Sequence, residues 1–78
     1  MRVRTLHETV HGNPGDPRRL PAGALCVVVP ADNLTRGTSD IEYWASPLTG
    51  NASDGWPEET RQWAEVGVGL NRRDFEPI

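Results

Sequence analysis

A chain of 78 residues, 36% hydrophobic and 24% charged, with eight Gly and seven Pro, has room for one small domain. That length excludes two-domain enzymes and barrels of alternating strand and helix, and a core of this size hides only about 60% of the surface the unfolded chain exposes. The formal net charge of −3, in which every basic residue is Arg, argues against general affinity for phosphate backbones, which needs a positive patch.

In chain order, residues 2–6 alternate Arg2 and Arg4 with Val3 and Leu6 and predict a short strand. They lack the apolar stretch of a secretory signal. Residues 7–21 contain Gly12, Gly15, Pro14, Pro17 and Pro21, and so predict a long loop. The apolar run 24–29 is the surest strand, and being apolar on both faces it belongs in the middle of a sheet. It contains Cys26, the chain's one cysteine, so no internal disulfide can form. The expectation is a buried small hydrophobe in a reducing cytoplasm. Residues 31–40 are polar and turn-rich.

Residues 41–46 alternate again, placing Ile41, Tyr43 and Ala45 on one face and Glu42, Trp44 and Ser46 on the other. A loop follows over 47–55. Pro57 followed by Glu58 and Glu59 suits the start of a short helix near 57–62, because Pro fits the first helical position and acids favour the positive end of the dipole. Residues 62–68 also read as a strand with Ala64, Val66 and Val68 inward. A tight 3-10 turn near 71–75 and a closing strand over 76–78 complete the chain. The prediction is a mainly β fold: one small barrel over residues 1–78, built from about five short antiparallel strands, whose closure hides the strand edges. No apolar run approaches the roughly 20 residues of a membrane-spanning helix.

Two segments carry a family resemblance. Residues 69–78, Gly-Leu-Asn-Arg-Arg-Asp-Phe-Glu-Pro-Ile, resemble the end of an SH3-like barrel, where a strand ending in Gly meets a one-turn 3-10 helix and an aromatic plugs the core. Residues 20–29, Leu-Pro-Ala-Gly-Ala-Leu-Cys-Val-Val-Val, resemble the turn and strand found early in such barrels. The resemblance implies that Phe75 is the plug and that 76–78 close the barrel. The aromatic first-strand motif and the Pro-Ser-Asn-Tyr turn of the peptide-binding eukaryotic members are missing, so polyproline binding is not implied. Bacterial and phage barrels of this shape commonly serve as adaptor or subunit-docking modules.

His7-Glu8-Thr9-Val10-His11 matches the zinc-peptidase pattern, in which two His one helical turn apart hold the metal beside a Glu base. Gly12, Pro14 and Pro17 follow at once and deny it a supporting helix, so no metal site is assigned. Gly67-Val-Gly69 lies too late in the chain for a phosphate loop. Glu58 and Glu59 diverge on a helix or a strand and make no acid–base pair. The expectation is no catalysis and no cofactor.

The charge is uneven. Between residues 31 and 66, Asp32, Asp40, Glu42, Asp54, Glu58, Glu59 and Glu65 face only Arg36 and Arg61. This acidic middle holds Trp44, Trp56 and Trp63, and exposed Trp beside acids is what a protein-binding hot spot looks like. Glu42, Trp44, Trp63 and Glu65 are the candidate contact residues, with Asp40 and Glu59 at the rim. The competing expectation folds Trp56 and Trp63 over an open end of the barrel as secondary core. The functional expectation is a non-catalytic interaction module whose partner is another protein, with nucleic acid disfavoured and no membrane partner. The alternatives are a small acidic phage-type inhibitor that occupies the basic groove of a host nucleic-acid-handling enzyme, and a zinc-binding protein of the His7-Glu8-Thr9-Val10-His11 type.

Overall fold

The computed structural model describes residues 1–13, 15–31 and 41–78. They are mainly β. Seven short strands form: β1 (Arg2–Thr5), β2 (Thr9–Asn13), β3 (Asp16–Leu20), β4 (Leu25–Pro30), β5 (Tyr43–Pro47), β6 (Val68–Leu70) and β7 (Phe75–Pro77). One short helix, α1 (Glu58–Arg61), and 3-10 turns at Ala52–Asp54 and Arg72–Asp74 connect them. Five strands make a curled antiparallel sheet in the order β6-β5-β4-β1-β7, and β2 and β3 pair separately as a hairpin. The result is a half-barrel, with β6 and β7 as its two ends and the apolar strand β4 at its centre.

The core follows the alternation of the strands. Val3 from β1, Cys26 and Val28 from β4, Ala45 from β5, and Val68 and Leu70 from β6 are buried, with Phe75 beneath them. Phe75 is 1% exposed, and its ring meets Tyr43 edge-on at 5.3 Å between centroids. Burying such a side chain is worth about 1.5–3 kcal/mol, a large share for a domain this small. Trp56 is core as well: it is buried, and its indole N–H donates to the Leu25 carbonyl at 3.0 Å.

Two expectations fail. The predicted loop 7–21 is the β2–β3 hairpin, with Asn13 opposite Asp16 and Thr9 opposite Leu20. Its strands lack apolar alternation because Thr9 points inward while Val10 is 54% exposed. The alternative strand over 62–68 is a helical turn up to its last residues. Gly67 takes φ +98 and donates its N–H to the Trp63 carbonyl at 2.7 Å, a left-handed stop that only Gly adopts cheaply. Val66 therefore faces solvent, and the strand begins only at Val68.

The loop before Trp56 is organised by a buried carboxylate. Asp54 accepts from the Thr49 N–H, the Thr49 hydroxyl and the Gly50 N–H, each at 2.8 Å. Burial pushes this carboxyl up, but the three donors outweigh it and hold Asp54 below its ordinary value. Among the described residues, no helix is long and apolar enough to cross a membrane.

Candidate surface around Gly67

Gly67 neighbours both candidate tryptophans, the side chain of Trp44 and the backbone carbonyl of Trp63. A Cβ added there would lie 3.3 Å from the Trp44 Cβ and 3.4 Å from its ring, and the residue's own N–H ends the turn that carries Trp63. Trp44 is half-buried on β5, and its ring meets His11 edge-on at 5.7 Å. Trp63 is half-buried under the guanidinium of Arg18, whose Cζ lies 3.9 Å from the ring centroid. Arg18 Nη1 also donates to the Gly67 carbonyl at 2.9 Å. Next to them, His11 Nδ1 accepts the Gly69 N–H at 3.2 Å. Because Nδ1 accepts, the neutral ring carries its proton on Nε2.

His11 and Arg18 are cross-strand partners in the hairpin. Together they serve alternate backbone groups of the β6 end, one accepting and one donating, so the hairpin's side chains stand where a neighbouring strand would pair. Gly69 permits the approach: a Cβ there would come within 2.9 Å of Ile41 Cδ1 and 3.1 Å of the His11 ring. Thr60 fastens the outer side of the hairpin by donating its hydroxyl to the Arg19 carbonyl at 2.7 Å.

The acidic candidates divide. Glu59 and Glu65 are exposed on α1 and the turn after it, close in sequence to Trp63, and Val66 beside them is 58% exposed. Glu42 is exposed but engaged elsewhere: its Oε1 accepts the Arg72 N–H at 2.9 Å, and its own N–H donates to Asn71 Oδ1 at 3.0 Å. It buttresses the Arg72–Asp74 turn. Asp40 lies outside the described residues. The sequence gives no signal for Arg18 and offers His11 only as half of a zinc pattern, because the hairpin that delivers both reads as a loop.

The zinc-peptidase pattern adopts a different geometry from the one it needs. His11 is on β2 and His7 lies in the bend before it, so no helix places the two one turn apart on a common face. His7 Nε2 lies 2.9 Å from Asp74 Oδ1, and that carboxylate also accepts the Asn71 N–H at 2.8 Å. Among the described residues, no three His, Cys, Asp or Glu side chains group to hold a metal ion. A polar cleft of about 330 Å³ runs between β2 and the Arg72–Asp74 turn, lined by His7, Thr9, His11, Arg73 and Asp74 among others. The Thr9 hydroxyl is buried there without a hydrogen-bond partner, so it forms no base–nucleophile pair with His7.

Cys26 offers no nucleophile either. Burial pushes its thiol up to about 11, with the Trp56 side chain opposing and the Asp54 charge adding to the rise. A thiol so placed stays protonated and inert at neutral pH. Comparison with known protein families, curated proteins and solved structures returns no match for the chain.

Proposed function

We propose that the chain is a non-catalytic protein-interaction module that docks through the acidic, Trp-bearing face around Gly67. The observation that supports this most is that Gly67 packs under the Trp44 side chain and bonds the Trp63 carbonyl, with Glu59, Glu65 and Val66, close to Trp63 in sequence, exposed. Aromatic side chains braced from below and open at one edge lose little entropy on contact, which is why they dominate interface energetics. The order of elements around the Phe75 plug supports reading the half-barrel as SH3-like, and bacterial and phage barrels of that kind act as adaptors. The partner on this reading is another protein.

The test is affinity enrichment from lysate with quantitative mass spectrometry. It compares the wild type with the double variant Glu65→Lys, Val66→Asp and with Glu8→Lys, an exposed site in a different part of the chain. The expected result is a protein retained by the wild type and by Glu8→Lys but lost from the double variant. Equal retention by all three would place the contact surface elsewhere.

A further inference from the structure

Among the described residues, Arg72 and Arg18 each lie over an aromatic ring and donate to an edge carbonyl. Arg72 covers Phe75, with Cζ 5.5 Å from the centroid, and Nη1 reaches the Phe75 carbonyl at 3.4 Å. Arg18 covers Trp63 at 3.9 Å and donates to the Gly67 carbonyl at 2.9 Å. The two slots differ in access. The Phe75 ring is itself only 1% exposed beneath Arg72, whereas Trp63 is half-buried and part of it reaches the surface.

The resident of the open slot is imperfectly held. Arg18 Nε is buried without a hydrogen-bond partner, and an unmet buried donor is costly. Among the described residues, the ion pairs are Arg4 with Glu76 and His7 with Asp74, so no carboxylate neutralises Arg18. Glu59 and Glu65, exposed on either side of Trp63 in sequence, are likewise in no ion pair. A flat ring and a directed carbonyl, with carboxylates of neighbouring residues in the sequence, suit a guanidinium. An ammonium uses the charge but neither the stacking nor the fork.

From this we infer that Trp63 and the Gly67 carbonyl form an arginine slot. An arginine presented by a partner protein stacks on Trp63, donates to Gly67 and is neutralised by Glu59 and Glu65, and Arg18 is the internal stand-in that it displaces. The inference rests on the Trp-bearing face being the docking face, and it specifies the chemistry of the partner. Because the stand-in competes, removing it should tighten binding by the reciprocal of the fraction of time the slot is open, on the order of tenfold.

The experiment is an NMR titration of the whole chain with a short Gly/Arg peptide and its Gly/Lys twin, following the Trp63 indole N–H and the Gly67 amide. Expected are shifts at both signals with the Arg peptide, at least several-fold weaker binding of the Lys twin, and roughly tenfold tighter binding of the Arg peptide by Arg18→Gln. Should Arg18→Gln lose its amide dispersion, Arg18→Lys keeps the charge, removes the fork and should tighten binding in the same direction. Equal affinity for the two peptides, or no gain on replacing Arg18, overturns the slot. If the partner is still lost from Glu65→Lys, Val66→Asp while the Arg peptide leaves Trp63 unmoved, the docking face stands and the slot alone fails. If the peptide binds as expected while the double variant keeps every captured protein, the docking face fails.

Discussion

At the β7 end of the sheet the chain seals itself, and at the β6 end it borrows the seal. Around β7, Phe75 fills the core, Arg72 three residues earlier covers its ring and carbonyl, and Pro77 removes an amide that a foreign strand could use. Around β6, the groups that occupy the Gly67 carbonyl and the Gly69 amide are Arg18 and His11, from a hairpin far away in sequence. Local seals form with the strand they protect. A remote seal depends on docking a separate element, and such elements open at lower free energy than the core. The end that can open is also the end where both half-buried tryptophans lie.

The largest expected effect breaks the self-sealed end. Phe75→Ala removes the plug shared by the whole half-barrel, so it should cost about 3–5 kcal/mol in urea unfolding and leave the isolated chain largely unfolded. A loss below about 1 kcal/mol would show that the β7 end is not part of the core. Next comes the junction of the borrowed seal. Gly67→Ala forces a side chain into φ +98 and towards Trp44, which should cost about 1–2 kcal/mol and alter the Trp emission. An unchanged midpoint would mean that the turn after α1 can end another way.

The smallest expected effect is on pH, and it should act on both ends alike. Asp54 is held below its ordinary value when folded, so its contribution is complete above about pH 4 and is lost as the pH falls through the lowered value. Thermal unfolding between pH 5 and 2 should show this decline, and Asp54→Asn should flatten it. Cys26 acts in the opposite direction. Its raised thiol keeps the proton that the unfolded chain gives up, so stability should fall between about pH 9 and 11.

The same contrast explains what the sequence made legible. β4, the start of α1 at Pro57 and the burial of Phe75 rest on residues close together in the chain; the first two are readable from composition and spacing, and the third from the resemblance of residues 69–78. The hairpin was not, because hydrophobic period is the main strand signal and here it runs backwards, with Thr9 in and Val10 out. Its turn was readable in principle: Asn13-Pro-Gly-Asp16 is a strong turn sequence, but the density of Gly and Pro favoured a loop. Residues 62–68 failed in the other direction. Ala64, Val66 and Val68 alternate like a strand, yet Gly67 ends a helical turn there and leaves Val66 outside. Of the candidate site, Trp44, Trp63, Glu59 and Glu65 are nameable from sequence, while Arg18, and the role of His11 beside Gly69, become visible only once the hairpin is placed.

Native-state hydrogen exchange tests the two-ended account most directly, by comparing the Gly69 amide, bonded to His11, with the Leu6 amide, bonded to the Asp74 carbonyl at 2.9 Å. The account predicts that Gly69 and the hairpin amides exchange together through a local opening, well before Leu6, and that Arg18→Gln speeds the first set without moving Leu6. A common rate for both ends, unaffected by Arg18→Gln, would contradict it.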